Sequence, residues 1–176
     1  MDEVRYPIGA FVPIDNLSVE ERKKCINQIP GIIESLKSIT KSLTNDQLQI
    51  PYRPHGWTIQ QLVHHMADND MNAFIRFKRA LTEDEPVANS YREDLWAELS
   101  DYKDVPIEIS IQILESIHTR FFILLKGINS DEFRKRFSTQ ALGFITLDIA
   151  LQRFVWHNQH HISQINSLIK RMKWNT

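Results

Sequence analysis

A chain of 176 residues with 42% hydrophobic content is the size of one ordinary globular domain, large enough to bury a continuous core without disulfides or metal staples. Its 21 Lys and Arg nearly balance 22 Asp and Glu, so net charge gives no pull towards nucleic acid, and no apolar run approaches the roughly 20 residues that span a bilayer. The lone Cys25 closes no internal bridge, and the acidic, proline-containing start MDEVRYPIGAFVPID is unlike a signal peptide; a soluble cytoplasmic protein without nucleic-acid or membrane partners is expected.

Residues 1–17 hold Pro7, Gly9 and Pro13 without helical period and read as an extended arm on the domain surface. Ser18 and Glu21 have the capping-box form, and Ile26, Ile29, Ile33, Leu36 and Ile39 follow at helical spacing, with Pro30 expected to kink or split the helix. Thr44 and Gln47 suit one short turn, and PYRPHG is a loop. Thr58 and Gln61 open a second long helix whose apolar stripe runs through Leu62, Val63, Met66, Ala73, Phe74, Phe77 and Leu81 to an end near Glu83.

A short helix is expected from Tyr91 to Tyr102 within a long crossover. Asp104 and Pro106 then start a third long helix, buried along Ile107, Leu114, Ile117, Phe121, Leu124 and Leu125 and ending around Gly127. Residues 131–145 admit one helical turn and a small hairpin around Gly143. Thr146 caps the last helix, which continues through Leu151, Phe154, Ile162, Ile165 and Ile169 to Met172. Four long amphipathic segments with one long connection predict a single all-α domain over residues 1–176, a four-helix bundle with an extended N-terminal arm.

Of the seven histidines, six fall inside predicted helices, where 100° per residue separates their directions. His157 and His161 are four apart and stack on one side of the last helix, His161 inside the buried sector and His157 at its edge; His160 falls on the far side. Asn158 stands where H-E-x-x-H has its glutamate, so the zinc-protease mechanism does not transfer. On the second helix only one of His64 and His65 can face the bundle. His65 is nearer, at the head of a polar seam with Asn69, Asn72 and Arg76 that would meet the last helix if the two are neighbours. Three neutral imidazoles suit Zn²⁺, Ni²⁺, Co²⁺ or Fe²⁺ and leave positions open, whereas a closed structural zinc site would want a fourth ligand, for which Cys25 is the only thiol.

PYRPHGWT, the helix VHHMADNDMNAFIRFK and the later LDIALQRFVWHNQHHISQI together resemble the DinB-like superfamily, nearest to its YfiT-type metal-dependent hydrolases, and the likeness runs from YPIG to the final MKW. The resemblance implies a four-helix fold, a homodimer, a cytoplasmic location and a metal held by one histidine of the second helix and the H-x-x-x-H of the last. These map onto His65, His157 and His161. It also implies two chemistries on a small-molecule substrate: hydrolysis, or activation of a low-molecular-weight thiol such as bacillithiol for S-transfer. A metal-binding module without turnover is the alternative from another class.

Other positions carry lesser expectations. Asp68 could orient an imidazole or accept a proton, and Arg76 could clamp an anionic group; both also read as ordinary helix-surface residues. Asp70 falls in the apolar stripe and needs a hydrogen-bond or cationic partner. His118 is a reserve ligand, and Trp156 points away from the core stripe, as a residue of a partner surface would.

Overall fold

The same device sets three helix starts. Ser18, Thr44 and Thr58 each accept the backbone N–H three residues on, while Glu21, Gln47 and Gln61 reach back, so reciprocal capping boxes open α1 (Val19–Thr40), α2 (Asn45–Leu48) and α3 (Ile59–Thr82). The computed structural model describes residues 3–140 and 142–174. Of the kink or split expected at Pro30, the split does not occur: α1 runs through it as one helix. Pro30 lies on the exposed face, so its ring meets no packed neighbour helix, and Ile26, Ile29, Ile33 and Leu36 bury one continuous stripe across it.

The crossover differs from the expected single helix. It holds two short ones, α4 (Glu93–Trp96) and α5 (Ser100–Asp104), because Leu99 is extended (φ −71°, ψ 163°) and breaks the run. Asp104 does not cap the next helix either. It ends α5; the residue before a proline is driven out of the helical region, so Val105 is extended and Pro106 itself becomes the N-cap of α6 (Ile107–Gly127), with no side-chain cap bond. A 3-10 turn (Ser130–Arg134) and a hairpin follow, β1 (Arg136–Thr139) pairing antiparallel with β2 (Gly143–Thr146) so that Phe137 faces Ile145. Gly143 enters β2 at φ +64°, a conformation side-chain-bearing residues avoid. Thr146 then caps α7 (Leu147–Met172) by accepting from the Ile149 N–H.

α1 and α3 each pack on both α6 and α7, so the order around the bundle is α1, α6, α3, α7. Of the consecutive long helices, α3 and α6 are therefore neighbours, whereas α1 and α3, and α6 and α7, are diagonal; α3 and α7, which carry the candidate ligands, are neighbours. Two apolar clusters fill the interior, one around Leu36, Leu62, Met66, Leu114 and Ile165, the other around Ile29, Phe77, Phe121, Leu151 and Phe154. Asp70, His118 and Asn158 form a polar layer at the corresponding level of α3, α6 and α7. His118 Nε2 donates to Asp70 Oδ2 at 2.6 Å, and Asn158 Nδ2 donates to the two Asp70 oxygens at 3.1 and 3.0 Å. Asp70 thus has the partners its burial demands, and His118, reserved as a ligand, is committed to it.

The described part of the arm, residues 3–17, has no helix or strand; instead of running extended throughout it bends through turns at 3–5 and 7–8, and it lies antiparallel along α7. The backbone N–H and C=O of Ile14 bond the Gln152 side chain, both at 2.9 Å; Phe11 meets Trp156 with ring centroids 5.7 Å apart, and Tyr6 meets His160 at 5.6 Å. Among the described residues no helix is long and apolar enough to cross a membrane.

Candidate metal centre

The PYRPHGW loop is folded back on itself before α3 begins. The Tyr52 N–H donates to the Trp57 carbonyl at 2.9 Å and the Gly56 N–H to the Arg53 carbonyl at 2.9 Å. A Cβ on Gly56 would come within 2.7 Å of Arg53 Cγ and 2.9 Å of Tyr52 Cε1, so any other residue here would push the Arg53 and Tyr52 side chains aside. The loop delivers Trp57 onto His65, with ring centroids 4.7 Å apart.

From the next turn of α3, His65 reaches towards α7. Its Nε2 lies 3.2 Å from His157 Nε2, which lies 3.2 Å from His161 Nε2, and one ligand atom from each of the three falls within 4.8 Å of the others. Two nitrogens bound at 2.0–2.1 Å to a tetrahedral ion sit about 3.3 Å apart, so this spacing fits a shared divalent ion. A hydrogen bond accounts for the cluster poorly, since the single Nε2 of His157 faces two others at once.

The outer nitrogens fit as well. His161 Nδ1 donates to Gln164 Oε1 at 2.8 Å, which fixes the tautomer that leaves its Nε2 lone pair facing the cluster. Gln164 Nε2 in turn donates to the Arg5 carbonyl at 2.8 Å and meets His160 Nε2 at 2.9 Å. His157 Nδ1 meets the Asn69 side-chain amide at 3.2 Å, and His65 Nδ1 is buried without a partner. Burial pushes the His65 pKa down to about 4, and burial with mutual repulsion holds His157 and His161 well below the usual imidazole value. All three are therefore neutral at pH 7, the form in which a histidine ligates a metal.

The trio opens to solvent. A cavity of about 300 Å³ lies over it, walled by Trp57, Arg53, Trp156 and the arm residue Tyr6. A second cavity of about 110 Å³ adjoins the same His157 and is lined by Asn69, Arg76, Glu93, Arg153 and an apolar wall that includes Phe77 and Phe154. Glu93 and Arg153 line both. Glu93 is exposed as a residue, yet loss of solvation by its carboxylate and the nearby Asp94 raise its pKa, against the pull of Arg153.

The structure brings together His65, His157 and His161, the three singled out by angle. His64 turns away: its Nδ1 meets Ser110 Oγ at 2.7 Å and its Nε2 meets the Val105 carbonyl at 3.1 Å. Asp68 is not beside His65. Its Oδ2 accepts from the Tyr102 hydroxyl at 2.6 Å, outside the residues lining either cavity. Arg76 lines the second cavity and donates Nη2 to the Asn89 carbonyl at 2.8 Å.

Two further expectations change. His160 and Trp156 are not on an open far side: His160 is 6% exposed and stacks on Trp156 at 4.7 Å, because the arm covers that face of α7. The outward tryptophan that suggested a partner surface therefore lines the site. Sequence reasoning missed Gln164, Arg153 and Glu93. The first two stand three residues after His161 and four before His157, within reach of the same helical spacing; Glu93 comes from the crossover, where no periodicity points inward.

Residues 32–165 match the DinB superfamily. A Bacillus pumilus (strain SAFR-032) protein described as "Putative metal-dependent hydrolase" is 39% identical over 176 residues, covering 99% of this chain and 100% of its own. YfiT of Bacillus subtilis (strain 168), described in the same words, is 39% identical over 170 residues, 96% of each chain. The solved structure of YfiT, whose description is "a probable metal-dependent hydrolase with an unusual four-helix bundle topology", superposes with a TM-score of 0.96 at 38% identity, covering 98% of this chain and 99% of that one.

Proposed function

This chain belongs to the DinB superfamily, and we propose that it is a metal-dependent hydrolase of a small molecule, with one divalent ion held by His65, His157 and His161. The observation that carries the reading is the convergence of three neutral Nε2 atoms below an open cavity. A divalent ion there would supply Lewis acidity, polarising an electrophile and acidifying a water nucleophile. Zn²⁺ is the first choice and Ni²⁺ the second, on the preference of imidazole sets.

The chain's own residues supply the rest. Gln164 holds His161 in the ligating tautomer, Asn69 steadies His157, and Trp57 packs on His65. Glu93 is the carboxylate best placed to take a proton from a nucleophile: it lines both cavities with His157, and its raised pKa brings it closer to working pH. In sequence no glutamate stands beside the ligands, which favours a thiol nucleophile needing no base. Glu93 entering from α4 removes that argument, and the balance moves to water. The lone, half-buried Cys25 suits a reducing cytoplasm. A homodimer stays in the proposal on family likeness alone, Trp156 no longer supporting it; light scattering should give twice the chain mass.

Metal-loaded protein should cleave ester or amide substrates without added thiol and lose that activity on chelation, with Glu93→Gln lowering kcat about 10²–10⁴-fold while metal content is unchanged. Turnover only with bacillithiol or another small thiol would move the assignment to S-transfer. Metal uptake without turnover in any arm would leave a binding module.

A further inference from the structure

The second cavity is built unlike the first. Arg76 from α3 and Arg153 from α7 both line it, and their charges are close enough that Arg153 helps lower the pKa of Arg76, after the larger effect of burial. Among the described residues neither forms an ion pair. Arg76 gives Nη2 to the Asn89 carbonyl and has a buried Nε with no partner, and Arg153 lies over the Phe11 ring at 5.7 Å. Holding two partly buried guanidinium groups near one another without a carboxylate bridging either is unfavourable unless something anionic comes between them. Glu93, an exposed residue of the same lining that feels the charge of Arg153, offsets one of the two charges and leaves a net single positive charge. The same lining carries an apolar set: Phe77, Phe137, Ile145 and Phe154.

We infer that this cavity is the substrate's anchoring subsite, and that the substrate class is a small monocarboxylate with an apolar stem. The carboxylate sits between Arg76 and Arg153, where guanidinium forks match its geometry, and the stem lies on the phenylalanine wall. Because His157 borders both cavities, a molecule anchored here presents its far end to the histidine trio. That orientation rests on the proposed metal site; the anion subsite itself does not. A single remaining positive charge favours a carboxylate over a phosphate dianion, and about 110 Å³ admits only a short stem.

The test is ligand-observed NMR titration with 4-methylpentanoate and its neutral isostere 4-methylpentanamide, on metal-loaded and on chelator-treated protein. The acid should bind at least about tenfold tighter than the amide in both forms, and more weakly as ionic strength rises. Arg76→Gln and Arg153→Gln should each remove most of that preference without changing amide binding or metal content, and Arg153→Lys should restore part of it. The salt dependence of the wild type keeps the test decisive if a variant fails to fold. Equal binding of acid and amide overturns the inference. So does acid binding that needs the metal and survives both Gln variants, since the carboxylate is then a metal ligand. If the protein takes up no metal but the acid preference follows the arginines, the hydrolase proposal fails and the subsite stands.

Discussion

Two groups of buried polar side chains lie side by side in this bundle and are built on opposite lines. In the Asp70–His118–Asn158 layer a carboxylate meets an imidazole N–H and an amide NH₂, and the only orphan is Asn158 Oδ1. Five residues earlier on α3, His65 joins two histidines of α7 with no carboxylate among them, three ring nitrogens pointing at one another and His65 Nδ1 unpartnered. Burial of a histidine is common to both. What separates them is satisfaction: a matched set holds helices together, while converging lone pairs under a cavity want a ligand.

The largest effect should come from breaking the matched set. Asp70→Ala leaves His118 and Asn158 buried without their acceptor and should cost about 3–5 kcal/mol, read from urea unfolding of metal-free protein. A cost below about 1 kcal/mol would mean the layer does not hold the bundle. The trio should respond to protons instead. The folded pKa of His65 is about 4 against an unfolded value of 6.5, and burial also holds His157 and His161 well below 6.5, so below pH 6.5 the unfolded chain binds protons that the folded chain refuses. Stability of metal-free protein is therefore full above pH 6.5 and falls as pH drops towards 4, by an amount on the order of a few kcal/mol. A flat profile across that window would contradict the burial of neutral imidazoles.

Much of this contrast is legible in sequence, because it depends on helical angle. A spacing of four from His157 to His161 gives one direction, and the adjacent His64 and His65 give two. Asp70 in an apolar stripe announces that it needs a partner, although nothing local says that His118, far along the chain, is the one. Apart from Pro30, which α1 absorbs, the failures share a cause: they come from chain outside the long helices. The arm buries a face of α7 that helical angle alone leaves open, so His160 and Trp156 change surroundings. The crossover supplies Glu93 and breaks at Leu99, and Asp104 loses its capping role to a Val-Pro step. Asp68 finds Tyr102 of that same crossover rather than His65.

A smaller effect tests the support around the trio. Gln164→Ala removes the acceptor for His161 Nδ1–H and should weaken metal binding 10–100-fold, measured by competition with a chromogenic chelator. Gln164→Glu keeps an acceptor and should recover most of the loss. Equal affinity in all three proteins would show that Gln164 serves the arm and not the metal.

The most direct measurement is metal per chain by elemental analysis in five single His→Ala variants, each first checked for helical content. His65→Ala, His157→Ala and His161→Ala should lose most of the bound metal, while His64→Ala, whose imidazole is occupied by Ser110 and Val105, and His160→Ala, which faces the arm, should stay close to the wild type. Retention of metal by any of the first three alongside loss in His64→Ala or His160→Ala would contradict the assignment of the trio as the metal site.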